Sequence, residues 1–173
     1  MALEEVVLVN EKDEVIGTME KIEAHQKALL HRAFSVFVIN KNNELMIQRR
    51  ALTKYHSPGL WTNTCCSHPR INESYGDAAH RRMHEEMGFD CDLKEEFSFI
   101  YKAEFDNGLT EHELDHVFVG YSEKEPVINP EEVDSWKWIN IDELKADIIA
   151  NPDNYTAWFK IIFEKFSNYF DNK

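Results

Sequence analysis

The chain has 173 residues, enough for one domain with a sizeable core, and its 43% hydrophobic and 12% aromatic content is that of a globular protein. Nineteen Lys and Arg against 32 Asp and Glu give a net charge of −13, which argues against a duplex nucleic-acid binder and requires any anion site to be built from a few local cations. No apolar run reaches the length of a membrane span and no secretory signal opens the sequence, while the three cysteines include an adjacent pair, Cys65 and Cys66. A cytoplasmic protein with reduced thiols and no membrane or nucleic-acid partner is therefore expected.

In chain order, "VVLVN" and "EVIG" read as short strands about a turn at Asn10–Asp13, and "RAFSVFVIN" with "ELMIQ" reads as a hairpin across Lys41–Asn43. Polarity rises from Arg49 to Pro58, and a long loop runs on to His68–Pro69. Ser74 is suited to an N-cap, the pattern is helical to Met87, and Gly88 supplies the stop. "FSFIYKAEF" and "ELDHVFVGYS" are β-rich about Asn107–Gly108, "SWKWINI" is a further strand, and Asp142–Ala150 and Asn154–Phe170 read as helices. Strands before, between and after one strong central helix indicate an α/β or α+β layered domain without a linker or repeat.

Several residues carry chemistry at these positions. Glu111 and Glu113 are two apart in a strand pattern, so their side chains project together; taken alone, the pair also reads as a solvated acidic edge strand. His25 and His31 are six apart and would diverge on one continuous helix, so they can converge only from a turn or a helix end. With His68, three imidazoles and two carboxylates would make a nitrogen/oxygen set suited to an octahedral divalent ion. Cys66, two residues before His68, could exchange a proton there, whereas Cys65 reads as a small buried hydrophobe. Glu85 and Glu86 close the central helix one turn after Arg81 and Arg82, and read either as i,i+4 ion pairs or as a hard-cation site. "QRRALTK" is a basic stretch in an acidic chain.

"HRRMHEEMGF" resembles the end of the Nudix box, with Glu73 as its early glutamate, Arg81 as its arginine and Glu85–Glu86 as its double glutamate. Ser67 stands where the box has its first glycine, and Arg82 stands where a metal-binding glutamate follows the arginine, which argues against ordinary pyrophosphate hydrolysis. "EAHQKALLHRAFSVFV", "QRRALTKYHSPGLWTNTCCSHP" and "EHELDHVFVG" together resemble the type I isopentenyl-diphosphate Δ-isomerases, over roughly Val6 to Trp158. The resemblance implies a single Nudix-like α/β/α sandwich with a mixed sheet over residues 1–173. It also implies interconversion of isopentenyl and dimethylallyl diphosphates through a tertiary carbocation. It implies that His25, His31, His68, Glu111 and Glu113 hold a divalent ion, Mn²⁺, Zn²⁺ or Mg²⁺, and that Glu86 holds a Mg²⁺ touching the diphosphate. It makes Cys66 and Glu113 the proton-transfer groups, with Tyr101 assisting. Lys21, Arg50, Lys54 and Arg82 would hold the diphosphate, and Trp158 would face the hydrocarbon. The competing readings are a Nudix-type diphosphate hydrolase and a non-catalytic diphosphate-binding module. Oligomeric state is not legible.

Overall fold

The structure is a computed structural model describing residues 4–54, 56–105 and 107–172. The strands β1 (Glu5–Val9) and β2 (Val15–Glu20) form the first antiparallel pair, and helix α1 (Lys21–Gln26) follows directly. Next come β3 (His31–Ile39), β4 (Glu44–Arg50), and the short β5 (Trp61–Thr62) and β6 (Cys65–Ser67). Helix α2 (Tyr75–Arg82) widens into a π-helical turn over Met83–Met87. After β7 (Lys94–Glu104), β8 (Thr110–Tyr121) and β9 (Val133–Asn140), the chain ends in α3 (Ile141–Ala150) and α4 (Ala157–Asp171). No helix among the described residues is long and apolar enough to cross a membrane.

Among the described residues, nine strands form one branched mixed sheet. At its centre β3 runs parallel to β8 from His31↔Glu113 to Ile39↔Tyr121, and β7 pairs antiparallel with the outer side of β8. The expected β3–β4 hairpin exists only at its tip, where Ile39 meets Leu45. Beyond that point β4 pairs with β9 and β5, and β6 takes the edge of β3 that β4 leaves. The divergence opens the sheet into a cleft.

Alternation along β3 sorts its side chains to two layers. Phe37 and Ile39 pack with Val117, Val119 and the apolar stripe of α4, namely Trp158, Phe159, Ile162, Phe163 and Phe166. Phe34, Val36 and Val38 pack instead against Ala78, Ala79, Met83 and Met87 of α2 and its π turn. Helices thus cover both faces, giving the α/β/α arrangement expected. Each buried side chain of this size stabilises by roughly 1.5–3 kcal/mol relative to exposure.

Caps fix the helix ends near the cleft. Ser74 accepts from Asp77 N at 3.0 Å, as its position suggests. Gly88 closes the π turn at φ 63°, and a Cβ there would sit 2.2 Å from the Val127 carbonyl oxygen, so the position admits only glycine.

Candidate active site

The short helix α1 was not legible in sequence, yet it solves the His25–His31 problem. The Glu20 side chain caps it by accepting from Ile22 N and Glu23 N at 3.0 and 2.9 Å. His25 lies in its last turn, a tight turn passes through Ala28 at φ 54°, and His31 opens β3. His112 Nδ1 donates to the Ala28 carbonyl at 3.1 Å and ties the turn to β8. The result brings the His25, His31 and His68 rings to centroid separations of 5.1, 6.0 and 5.1 Å.

Glu113 stands opposite His31 on one side and Tyr101 on the other. Its Oε2 lies 3.0 Å from His31 Nε2 and 2.6 Å from His68 Nε2, and Tyr101 Oη–H donates to Oε1. Glu111 and Glu113 are both buried, at 6% and 3% exposure, so the pair is not a solvated acidic edge: β8 is flanked by β3 and β7 on either side.

The donor set fits a divalent cation. His25 Nδ1 donates to the Lys21 carbonyl at 2.6 Å, which leaves Nε2 as a lone pair, buried and without a partner. His31 Nδ1 likewise donates to the Leu29 carbonyl at 2.9 Å, so a neutral His31 turns a second lone pair toward the Glu113 carboxylate. Acceptor facing acceptor at that distance calls for a proton or a metal ion between them. His25, His31, His68 and Glu113 each bring one ligand atom within 4.8 Å of the others. Glu111 lies outside that tight set, but lines the same cavity with a buried Oε1 that has no partner.

Burial depresses the His25 pKa to about 4, with the neighbouring His68 adding to the effect, and burial also lowers that of His68. Neutral imidazoles are the form that ligates. Glu113 behaves oppositely: burial would raise its pKa, but His68 and His31 hold it well below the usual carboxylate range. Glu111 is pushed well above that range by burial and by the Glu113 charge.

The adjacent cysteines separate onto opposite faces of β6. Cys65 is fully buried against α2 and its thiol donates to Glu86 Oε2 at 3.4 Å. Cys66 points the other way, packing against the core that contains Trp158 and Tyr101. Burial pushes the Cys66 thiol up to about 12, with Glu86 adding to the rise and Arg50 opposing it. The thiol is therefore neutral at pH 7 and is a proton donor rather than a standing nucleophile.

A cavity of about 690 Å³ takes in Cys66, His25, His68, Tyr101, Glu111 and Glu113, with Lys21, Arg50, Lys54, Arg82, Glu86 and Trp158. Of the residues that the resemblance assigns to metal, substrate or proton transfer, only His31, which is fully buried, is not among those that line it. The Arg50 guanidinium lies 5.0 Å from the Trp158 ring centroid. Arg82 reaches Glu85 at 2.6 Å and Glu86 at 3.2 Å, and Arg81 pairs with Glu73 and Glu85, so the i,i+4 ion pairs and the cluster around Glu86 coexist. Burial opposes the Arg82 charge, but Glu86, Cys65 and Glu132 outweigh it. Ser67 sits in strand backbone, which any residue adopts, so the place of the box glycine needs no glycine here.

Residues 29–159 match the NUDIX domain family. Isopentenyl-diphosphate Delta-isomerase 2 of Photorhabdus laumondii is 54% identical over 94% of this chain and 92% of its own, and the Aromatoleum aromaticum protein of the same name is 51% identical over 94% and 86%. The chain belongs to the isopentenyl-diphosphate Δ-isomerase family of Nudix proteins. Among solved structures, DR0079 of Deinococcus radiodurans superposes with a TM-score of 0.78 at 22% identity, covering 94% of this chain and 98% of its own, which shows the shared fold.

Within this isomerase-family fold, two residues of the cavity were missed in sequence. His56 stacks on Phe105 and meets Trp158 edge-on, both at 5.5 Å, and burial with the nearby Arg50 depresses its pKa to about 3. Glu132 pairs with Lys54 and Arg82. Neither belongs to a motif; His56 sits in the basic loop and Glu132 in "PEEV", and only the tertiary contacts assign them to the site.

Proposed function

We propose that this chain interconverts isopentenyl and dimethylallyl diphosphate by a 1,3-allylic proton transfer, supplying both five-carbon isoprenoid units. The observation that carries the reading is the convergence, on one cavity, of a neutral thiol and an ionised carboxylate as the two proton-exchange groups. The reaction needs both, because moving the double bond delivers a proton to one carbon and removes one from another.

In one direction the Cys66 Sγ–H bond breaks, its proton goes to the terminal alkene carbon, and a tertiary cation forms opposite the thiolate. Glu113 then takes a proton from the carbon on the other side, the C–H electrons become the new double bond, and the carboxylate becomes a carboxylic acid. The reverse direction exchanges the roles, and a proton passes back from carboxyl to thiolate between turnovers. Tyr101 orients Glu113 through its Oη–H, as the contact between them supports. Trp158, with Phe105 and His56 beside it, keeps water from the cation and offers it an indole face.

His25, His31, His68 and Glu113, completed by Glu111, would hold Mn²⁺, Zn²⁺ or Mg²⁺, and Glu86 would hold Mg²⁺ at the diphosphate. Such ions supply positive charge that tunes the proton affinity of Glu113 and neutralises the diphosphate. Lys21, Arg50, Lys54 and Arg82 anchor the diphosphate, so the hydrocarbon is held against the proton-transfer groups. A single domain carries the reaction in the cytoplasm, in keeping with three free cysteines, and uses no nucleic-acid or membrane partner.

Arg82 in place of a box carboxylate speaks against the hydrolase reading. Incubation with isopentenyl diphosphate and Mg²⁺ decides among the three functions: dimethylallyl diphosphate is expected, phosphate release would restore the hydrolase, and binding without turnover would leave a binding module.

A further inference from the structure

Three of the four cations assigned to the diphosphate are engaged by carboxylates in this structure. Lys21 Nζ lies 3.4 Å from Glu4 Oε2, Lys54 pairs with Glu132, and Arg82 reaches Glu85, Glu86 and Glu132 at 2.6, 3.2 and 3.4 Å. Glu132 differs from the others by bridging two of these cations, one from the loop after β4 and one from the end of α2. It lies just before β9 on a fixed backbone. Its N–H donates to the Asn129 carbonyl at 2.9 Å, and its carbonyl accepts from Ala51 N at 3.1 Å. Its side chain is 25% exposed, on the cavity wall.

This arrangement has two consequences. Lys and Arg side chains carry up to about 2 kcal/mol of rotamer entropy each, and the shared carboxylate has already ordered both ends. A diphosphate reaching the same Nζ and Nη donors meets a fixed negative charge on them. Burial disfavours the Glu132 charge, yet Lys54 and Arg82 outweigh this and hold its pKa below the ordinary value, so the group remains anionic at neutral pH.

We propose that Glu132 is an internal counter-anion of the diphosphate site: it holds Lys54 and Arg82 in place and gives them up to the incoming diphosphate, so that it weakens diphosphate binding. The inference rests on the reading of Lys54 and Arg82 as diphosphate anchors. It assigns a positioning role to a residue outside the Nudix box and outside the metal set.

The test is inhibition of the isomerase by inorganic pyrophosphate in Mg²⁺, comparing wild type with Glu132→Gln, which keeps the shape and removes the charge. The inhibition constant is expected to fall about tenfold, equivalent to about 1.4 kcal/mol. Glu131→Gln, at an exposed neighbour, removes the same formal charge and is expected to change it less than twofold. In a Lys54→Gln background the gain from Glu132→Gln should shrink, because one of the released cations is gone. An unchanged or raised constant for Glu132→Gln, at a melting temperature matching wild type, overturns the proposal, and so does an equal gain from Glu131→Gln. Should Glu132→Gln fail to fold, Glu132→Asp, with its shorter reach, should lower the constant by a smaller factor. If wild type makes no dimethylallyl diphosphate, the functional reading fails instead. Calorimetric titration with pyrophosphate then still decides the role of Glu132.

Discussion

Replacing Trp158 by Phe separates a catalytic indole from a packing one. Trp158 is 3% exposed in the core formed by α4, and its ring meets Phe105 at 6.1 Å and His56 at 5.5 Å. An indole presenting its face to a desolvated cation contributes about 2 kcal/mol or more, and 1.36 kcal/mol is a decade of rate. The ring already receives a cation, since the Arg50 guanidinium lies 5.0 Å from its centroid. A phenyl ring keeps part of that attraction, so turnover should fall between several-fold and about thirtyfold. Stability should fall only modestly, because Phe leaves part of the volume unfilled, at less than the roughly 3–5 kcal/mol of complete truncation. The melting temperature should therefore move by only a few degrees. Steady-state turnover of isopentenyl diphosphate and a thermal melt on the same preparation make the test. Unchanged turnover with a clearly lowered melting temperature would refute the argument and leave Trp158 as packing.

Cys66→Ala should abolish turnover while Cys65→Ala largely preserves it, and the opposite ranking in the same assay would move proton transfer to the Glu86 side of β6. Metal removal should expose a linkage at His25. The unfolded imidazole titrates near 6.5 but the folded one near 4, so between those values the unfolded state binds more protons and stability falls with falling pH. Melting of chelator-treated protein from pH 7 to pH 4 should show this slope, and His25→Gln should flatten it; equal slopes for the two proteins would sink the assignment of that linkage to His25. Adding back Mn²⁺ or Zn²⁺ at pH 7 should raise the wild-type melting temperature, and no rise with either ion would argue against a metal at the histidine cluster.

The parts of the fold that were legible are those where one period runs long enough to be read. The strands β3 and β8, the capped α2 and the apolar stripe of α4 all qualify. α1 has six residues, under two turns, and β5 and β6 have two and three, too few for a period to emerge from loop composition. The β3–β4 hairpin was read too far because local alternation does not reveal that β6 takes the edge of β3 that β4 would need, while β8 holds the opposite edge. Among candidate site residues, His25, His31, His68, Cys66 and Glu113 drew attention through the family resemblance, spacing alone being too weak a signal; in the structure the three histidines and Glu113 cluster, and Cys66 lines the adjoining cavity. The burial of Glu111 and Glu113 was not, because the central place of β8 depends on partners that are distant in sequence. Glu132 and His56 acquire their surroundings only through contacts between elements.

The three-residue strand β6 works as a selector switch between two chemically unlike neighbours. Its setting is pinned by Phe34↔Ser67, Ser35↔Cys66 and Val36↔Cys65, and by Asn63 Nδ2 donating to the Val36 carbonyl at 3.1 Å and Thr64 Oγ1 to the Met46 carbonyl at 2.6 Å. Because strand side chains alternate, a slip of one residue would turn Cys66 toward Glu86 and Cys65 toward the cavity. A thiol would still face each side, and a count of reactive groups would register no change. His68, however, would leave the histidine cluster with the same step. The segment between Gly59 and Cys65, which includes β5, therefore has a parity rule: a one-residue insertion or deletion that is carried into β6 as a register shift disconnects the thiol from its metal-binding neighbours, whereas a point substitution at half-buried Leu60 leaves them in phase.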